Sequence, residues 1–346
     1  MKKKIAISTL LLVFIAIIGI FFSYNLLFKD NIIDNKSGKK EQIIFIHTGA
    51  TYNDVLYELK NEKIIKNITT FKIVAEKLGY ANKIKPGRYE IGNNSGNLFI
   101  VQKLRSGRQD PVRITFNNIQ DKAHLAKIIS TKIEASQSSL LQAFNNPNLL
   151  DSLHLTEDNF PTIFLANTYE FYWNTSAQEF INRMLKEYDK FWNSSRRSKA
   201  EKLGLSPTEI TILASIIQKE SNKYDEYPII AGVYLNRIKI GMPLQADPTV
   251  LYALKRLGVS RRVLHIDLKI QSPYNTYIHK GLPPGPICLP ELKSIDETLD
   301  AEEHDYLYFC AKEDFSGYSN FAATWQEHQA NARKYQQALN ERNIRH

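Results

Sequence analysis

The chain has 346 residues and a formal net charge of +9, and it contains only two cysteines, Cys288 and Cys310. Two cysteines exclude a disulfide scaffold, and since both lie among apolar residues we expect buried free thiols. The basic charge favours an anionic partner such as a cell wall or a membrane surface, whereas the lack of an arginine-rich run argues against nucleic acid.

The N-terminus combines three lysines with a long apolar run. Lys2–Lys4 precede 24 uncharged residues from Ile5 to Phe28, and a helix needs about 20 to cross a bilayer. The run lacks an Ala-x-Ala cleavage pattern, which favours an uncleaved single-pass anchor over a signal peptide. The lysines predict a cytoplasmic tail at residues 1–4, an anchor at 5–28 and an external remainder.

Residues 29–41 are polar and predict a membrane-proximal linker. Residues 42–117 follow as a compact module with a strand, two helices and a second strand after a Pro-Gly turn. This order resembles the small LysM-type glycan-binding fold. The predicted elements are the strand Gln42–His47, a helix capped by Thr51, the helix Ile68–Leu78, the strand Lys85–Ile91, the helix Leu98–Leu104 and the strand Val112–Phe116.

Residues 118–205 predict a mostly helical linking region. The segment from Phe164 to Trp173 carries five aromatic residues in ten positions. Packing in a core between domains is expected for these rings, rather than ligand contact.

The region 206–346 begins with a well-marked helix. Ser206-Pro-Thr-Glu209 is a capping box, and the apolar stripe that follows leads to Glu220. A carboxyl group on this stripe near a helix C-terminus loses solvation and meets the negative end of the helix dipole. Both effects predict a raised pKa for Glu220, as a general acid requires. The alternative is that Glu220 emerges into solvent at the helix end.

The next segments supply possible partners for that carboxyl group. Pro228–Ile240 predicts a helix that carries Asn236 and Arg237, either of which could orient a buried carboxylate. Asp247 precedes Pro248 and is predicted to be the N-cap of a further helix. Gln245, just before it, has no such local role and is a candidate for substrate binding.

A proline-rich loop supplies one wall of a predicted cleft. Gly281-Leu-Pro-Pro-Gly-Pro286 cannot form regular structure, so its backbone is preset. Just before it, Tyr274 and Asn275 are suited to stacking on sugars and to bonding amide groups. Asn275 is expected to bind an N-acetyl group, so that its loss would impair turnover more than stability. One alternative is that the proline-rich run is a solvent-exposed turn, and another is that Asn275 only ties the loop to its own backbone.

These motifs follow one another in an order that resembles the endolytic murein transglycosylases, the YceG-like family. The resemblance spans nearly all of the chain and implies that Glu220 is the catalytic acid. Three positions depart from the family pattern. Gln218 stands where a second glutamate is frequent, Ala166-Asn167 replaces Pro-Asp, and Ser319 stands where a histidine is common.

The resemblance implies an α+β fold: an N-terminal transmembrane helix, a LysM-like module and a mixed α/β catalytic domain at 206–346. It implies lytic cleavage between N-acetylmuramic acid and N-acetylglucosamine in nascent peptidoglycan strands, leaving 1,6-anhydro ends and limiting strand length. Glycan strands and the membrane are the implied partners, with peptidoglycan synthases as further candidates. The implied chemistry uses no cofactor, and the sequence shows no His/Cys cluster for a metal. The predicted substrate-binding residues are Asn236, Arg237, Gln245, Asp247, Tyr274 and Asn275.

Two other functions stay open at this point. A membrane-anchored scaffold could bind the wall without cutting it, and Gln218 and Ser319 are the features that favour it. A muramidase that uses water would need a second carboxylate, for which Asp247 is the only candidate among the cleft motifs.

Overall fold

The computed structural model describes residues 2–34, 40–116, 119, 121–256 and 263–342. The chain divides into two compact units. Unit 1 comprises Met1–Arg113, Lys132–Ala135 and Glu170–Ser176, and unit 2 comprises Ile114–Thr131, Ser136–Tyr169 and Ala177–His346. The side chains of Lys2–Lys4, on which the predicted membrane topology depends, and residues 35–39 of the predicted linker lie outside the described part.

Helices predominate, with six short strands between them in the described residues. In chain order the elements are α1 Lys2–Leu27, β1 Glu41–Ile46, α2 Tyr52–Asn61, α3 Ile68–Lys77, β2 Gly87–Gly92, α4 Asn97–Ser106, β3 Val112–Thr115, α5 Lys122–Ser130, α6 Gln137–Phe144, α7 Pro147–Leu153, β4 Thr168–Phe171, α8 Ala177–Phe191, α9 Ser194–Lys202, α10 Pro207–Glu220, α11 Tyr227–Lys239, α12 Asp247–Ala253, α13 Leu292–Leu299, β5 Tyr308–Ala311, β6 Ser319–Ala322 and α14 Trp325–Glu341.

Unit 1 contains the predicted strand-helix-helix-strand order. β1 and β2 pair antiparallel, with Glu41 opposite Gly92 and Ile46 opposite Gly87. Thr51 caps α2 through a capping box, as its side chain predicted. The core beneath the two strands is apolar and fully buried, and it includes Ile44, Leu59, Phe71, Val74, Tyr89 and Leu104.

α1 is long and apolar enough to cross a bilayer by length and composition, over the 19 residues Thr9–Leu27. The chain that follows differs from the predicted linker. Asn31 and Ile32 are buried, and Ile32 belongs to the core of unit 1. The residues directly after the helix are therefore part of the folded module. Although the segment is polar in composition, burying Ile32 in the core removes its apolar surface from water, which is favourable.

Unit 2 is built around α10, which packs against α11, α12 and α13. Every residue of α10 from Ile210 to Ile217 is buried, and the predicted Ser206–Glu209 capping box is present. β5 and β6 form an antiparallel hairpin against which α14 packs. α10 is thus a rigid element, and its C-terminal residue has a fixed position.

Two smaller predictions concern aromatic residues and thiols. Phe164 packs within an aromatic cluster of unit 2 that includes Phe144, Phe160 and Phe180. Both cysteines are free, with Cys288 buried and Cys310 half-buried. The expectation of free thiols is confirmed, and only Cys288 is fully removed from solvent.

Candidate active site

Glu220 is the last residue of α10, and its carboxyl group meets a tyrosine from α11. The Tyr234 hydroxyl donates to Glu220 Oε1 over 2.8 Å. Tyr234 is 1% exposed, so this hydroxyl cannot rotate away to bond with bulk water. Glu220 itself is partly accessible. The carboxyl group is therefore held in one orientation by a residue of the neighbouring helix.

The surroundings of Glu220 favour its protonated form. The pKa of this carboxyl group is raised to about 7, mainly by burial and to a smaller degree by the negative charge of Asp247. The hydrogen bond from Tyr234 and the charge of Arg237 act in the opposite direction. The raised pKa predicted from the helix stripe is confirmed, and at neutral pH a substantial fraction of Glu220 carries its proton.

Asp247 does not cap α12, contrary to the prediction. Ala246 is the N-cap residue, in extended conformation, and Asp247 is the first residue of the helix itself. The Asp247 Oδ1 atom instead accepts a hydrogen bond of 2.6 Å from the Tyr277 hydroxyl. The physical reason is that proline is tolerated throughout the first turn, so a residue before it can be either cap or first helical residue.

Gln245 lies beside Asp247 in a strained backbone conformation. Its φ is 49°, in the left-handed region that residues with a Cβ rarely adopt. The Gln245 amide donates to Thr276 O over 3.0 Å, and the next amide, that of Ala246, donates to the Thr276 hydroxyl. The turn is thereby fixed to the loop that carries Tyr277, and the Gln245 side chain is left exposed.

Asn236 and Arg237 do not hydrogen-bond to Glu220, which corrects the prediction that one of them orients it. The Asn236 amide donates to the carbonyl oxygens of His304 and Tyr306. Arg237 donates through Nε to Leu307 O and through Nη1 to Leu244 O. Both side chains hold segments of unit 2 together, and Arg237 acts on Glu220 only through its charge.

Asn275 is fully buried and is occupied by its own loop. Its amide nitrogen donates to Leu268 O and Ile270 O over 2.8 and 3.0 Å, and its oxygen accepts from the Tyr277 amide. With 0% exposure and all of these bonds made internally, the side chain cannot bind an N-acetyl group. This corrects the predicted ligand role and favours the alternative of a loop tied to its backbone.

We therefore expect Asn275→Ala to destabilise the fold by about 2 kcal/mol, because buried backbone groups lose their partners. Chemical denaturation of the purified variant measures this change. Activity per folded molecule should stay close to that of the parent. A variant that melts normally but turns over slowly would return Asn275 to the substrate site.

Tyr274 points to a different place from Glu220. Its hydroxyl donates to Asp158 Oδ1 over 3.2 Å, and its ring contacts Tyr252 at 4.7 Å. It lines a cavity of about 550 Å³ in unit 2 that also contains Asp121 and Cys288. Neither Glu220 nor Asp247 lines this cavity. The structure therefore does not bring Tyr274 together with these two carboxyl groups.

The departure at Gln218 has a structural explanation, whereas the bond at Ser319 comes from its backbone amide and would form with any residue there. Gln218 Oε1 accepts hydrogen bonds of 2.7 Å from the Glu291 amide and from the Ser294 hydroxyl, which fixes the start of α13. The Ser319 amide donates to Glu226 Oε1 over 2.6 Å. Gln218 therefore serves as a hydrogen-bond acceptor, and an amide oxygen is sufficient for that task.

The proline-rich loop is packed against neighbouring backbone at Gly285. A Cβ atom added there would lie 2.1 Å from Asp158 O and 2.6 Å from Asp158 C. Farther along, the Ile287 amide donates to the Ser215 hydroxyl of α10 over 3.0 Å. The preset loop is thus held by α10 itself, and glycine is required at 285 by close contact.

Two contacts of the carboxyl groups, those made by Tyr234 and by Tyr277, were not predicted. Burial and the neighbouring carboxylates raise the pKa of both phenols, so both stay protonated as donors at neutral pH. Tyr234 precedes Arg237 by three positions on one helix, a spacing that places the two side chains on the same face. That spacing was the available signal, whereas no local pattern links Tyr277 to Asp247.

The chain is similar to several known proteins. The family model described as the YceG-like family matches residues 44–334. An endolytic murein transglycosylase of Bacillus subtilis (strain 168) is 31% identical over 324 residues, covering 89% of this chain and 88% of that protein. An endolytic murein transglycosylase of Streptococcus pneumoniae R6 is 27% identical over 335 residues, covering 87% of this chain and 60% of that protein.

A solved structure has the same fold. The crystal structure of a YceG-like protein from Listeria monocytogenes matches with a TM-score of 0.54 and 27% sequence identity. The match covers 85% of this chain and 99% of that one. The similarity thus includes both the module of unit 1 and the helical unit that carries Glu220.

Proposed function

The chain belongs to the YceG-like family, and on that premise we propose that it is an endolytic murein transglycosylase that cuts peptidoglycan glycan strands internally. The observation that carries this proposal is the carboxyl group of Glu220, whose pKa of about 7 lets it hold a proton at neutral pH. A general acid is most effective when its pKa lies near the working pH.

The proposed reaction uses one carboxyl group twice. Glu220 protonates the bridging oxygen between N-acetylmuramic acid and N-acetylglucosamine, and the glycosidic bond breaks. The N-acetyl group of the muramyl residue stabilises the positive centre that develops. The ionised Glu220 then takes the proton from the muramyl primary hydroxyl, whose oxygen closes a 1,6-anhydro ring. No water is consumed, and Glu220 ends in its original protonated form.

Tyr234 suits both halves of this cycle. Its hydroxyl donates to Oε1, so the hydrogen bond strengthens when Glu220 is ionised and weakens when it is protonated. The bond stabilises the ionised Glu220 that is present after proton donation. It still leaves the pKa at about 7, so Glu220 can hold its proton before the reaction. We assign Tyr234 as a positioning residue.

Asp247 is the one observation that favours a water-using muramidase instead. It is free of a capping role, and its charge acts on Glu220. A second carboxylate near the first is what glycoside hydrolysis normally requires. The hydrogen bond from Tyr277 occupies Oδ1 of Asp247. The second oxygen, Oδ2, is the one that would act on water in a muramidase.

The products separate these reactions. Purified full-length protein is incubated with uncrosslinked glycan strands, and the fragments are analysed by mass spectrometry. We expect 1,6-anhydro ends in fragments released from the strand interior. Reducing ends in their place would mean hydrolysis, and intact strands would mean a wall-binding scaffold. The Glu220→Gln variant serves as the blank for contaminating activities.

The activity should fall as the pH rises through about 7. Glu220 must be protonated to act, and burial sets its pKa to about 7, so kcat/KM should drop about tenfold per pH unit on the alkaline side. A pH–rate profile between pH 5 and pH 9 measures this limb. A rate that is flat up to pH 9 would contradict the role of Glu220.

Two substitutions should move that alkaline limb in opposite directions. Tyr234→Phe removes a hydrogen bond that lowers the pKa of Glu220, so the limb should move to higher pH. Asp247→Asn removes a charge that raises this pKa, so the limb should move to lower pH.

Asp247→Asn is also expected to reduce activity far less than Glu220→Gln. An equal and complete loss, with an unchanged Tm, would give Asp247 a direct chemical role.

We also propose a location and a partner for unit 1. α1 would anchor the chain in the cell membrane with the N-terminus in the cytoplasm, and the module that follows α1 and unit 2 would lie outside, where nascent strands are made. The module of unit 1 would bind glycan in the manner of LysM domains, supported by its strand-helix-helix-strand order. Peptidoglycan synthases are the proposed protein partners. Accessibility of an N-terminal tag to protease on intact cells tests the orientation.

A further inference from the structure

A cavity of about 600 Å³ lies in unit 1 where α1 meets the module. Its apolar wall includes Phe21, Phe22 and Leu26 of α1 and Ile73 of α3. Its polar end is lined by Lys29 and Lys66, with the carboxylate of Asp30 beside them. The cavity therefore joins a hydrocarbon-like surface to a small group of charged side chains.

The junction around this cavity is rigid. The Asn31 amide group donates to Asn97 Oδ1 over 2.6 Å and to Asn67 O over 2.9 Å, while its oxygen accepts from the Asn67 amide. The Asn97 amide group in turn donates to Leu26 O, at the end of α1. Asn31 and Asn97 are 4% and 1% exposed. These buried bonds fix the direction in which α1 leaves the module.

Close backbone contact adds to this rigidity. A Cβ atom on Gly96 would lie 2.7 Å from the Leu27 carbonyl oxygen and equally near the Phe28 backbone. Leu26 and Leu27 also pack against the core of the module. The cavity is accordingly a feature of one folded unit.

The proposed anchor determines how deep in the bilayer the cavity lies. The apolar window Thr9–Leu27 is about 28 Å long at 1.5 Å per residue, close to the hydrocarbon thickness of a bilayer. Phe22 lies five residues before Leu27, hence about 8 Å before the end of that window. Since Ile73 lines the same cavity and is 41% exposed, α3 lies beside the last turns of α1.

The charges at the other end suit a phosphate group. Lys29, Lys66 and Asp30 together carry a net charge of about one positive unit. Within the described residues neither lysine forms an ion pair. Asn67, the N-cap of α3, and Asn97, the first residue of α4, also line this cavity, so the positive ends of two helix dipoles lie next to it.

Resting on the proposed membrane anchor, we propose that this cavity binds one anionic phospholipid of the surrounding bilayer. An acyl chain lies along Phe21, Phe22 and Ile73, and the phosphate lies between Lys29 and Lys66. The bound lipid seats the module against the membrane surface. This site is separate from Glu220 and does not take part in glycan cleavage.

Native mass spectrometry of the full-length protein in detergent tests the site, with phosphatidylglycerol or phosphatidylcholine added in equal amounts. We expect phosphatidylglycerol to be retained preferentially. Lys66→Gln should lower that retention about five-fold, as the loss of one cationic contact with an anionic lipid implies. The matched control is Lys60→Gln on α2, an exposed lysine of the same module that does not line the cavity, and it should leave retention unchanged.

The apolar half of the site is tested separately. Ile73→Asn should reduce the retention of both lipids, whereas Tyr57→Asn, at an exposed ring on α2, should not. Equal retention of the two lipids by the parent and by Lys66→Gln would overturn the proposal. So would displacement of phosphatidylglycerol by millimolar inorganic phosphate, which would indicate a site for soluble anions. These readouts measure lipid only, so they hold or fail independently of glycan cleavage.

Discussion

Replacing Glu220 with glutamine is expected to abolish glycan cleavage while the protein stays folded. Glutamine matches the carboxyl group in shape, and its oxygen can still accept the bond from Tyr234. It cannot give a proton to the glycosidic oxygen or take one from the muramyl hydroxyl. We expect kcat to fall by at least about 10³-fold, within the range that positioned acid–base groups contribute. The measurement is release of anhydro-ended fragments by the purified variant.

The matched control is Glu209→Gln at the start of the same helix. Glu209 belongs to the capping box of α10, in which glutamine is also suitable, so this variant should keep its activity. Activity of Glu220→Gln within a few-fold of the parent would exclude Glu220 as the acid.

The same substitution should change stability in a pH-dependent way. Because the pKa of Glu220 rises from 4.5 to about 7 on folding, its contribution is fully present below pH 4.5 and is lost as the pH rises through 7. Above that pH the buried carboxylate costs on the order of 1–3 kcal/mol. Glu220→Gln should therefore melt higher than the parent at pH 8 and similarly to it at pH 4.5.

The second large effect is expected from Gly285→Ala. The added methyl group would lie 2.1 Å from the Asp158 carbonyl oxygen, and backbone atoms cannot move aside as a flexible side chain can. Relief requires a shift of the proline-rich loop, which the Ile287–Ser215 hydrogen bond holds against α10. We expect a loss of about 3 kcal/mol or more in the free energy of unfolding. Urea denaturation of the purified variant measures it.

Gly92→Ala is the control for that experiment. The nearest atom to a Cβ at Gly92 is Ser95 Oγ at 3.8 Å, an ordinary contact. Its effect on stability should be within about 1 kcal/mol, as for a glycine that meets no steric obstacle. If both variants denatured at the parent's urea concentration, the close contact at Gly285 would not be important for stability.

The sequence predicts correctly the features that depend on residues close to one another along the chain. The start of α10 follows from Ser206 and Glu209, which bond to each other's backbone within one turn. The raised pKa of Glu220 follows from its place on an apolar stripe. Both depend on residues that are close in sequence, so helical periodicity was enough to predict them.

Predictions failed where the partner lies far along the chain. Asp247 was assigned to a cap because an aspartate before a proline is ambiguous, and its actual partner, Tyr277, is thirty positions away. Asn275 is the exception, because its partners lie only two to seven positions away and the local alternative is the one that the structure favours. The orientation of Glu220 depends on Tyr234, a residue of another helix. Such contacts are set by how helices and loops pack, and composition alone does not reveal them.

The amide at Gln218 leaves Glu220 as the only carboxyl group among the last four residues of α10. A glutamate at this position could accept the same two hydrogen bonds from α13. Its charge, two residues from Glu220, would add to that of Asp247 and hold the proton of Glu220 more tightly. The neutral side chain anchors α13 equally well in acidic and alkaline surroundings. Relatives that differ at this one position should therefore differ in the acidity at which they work best.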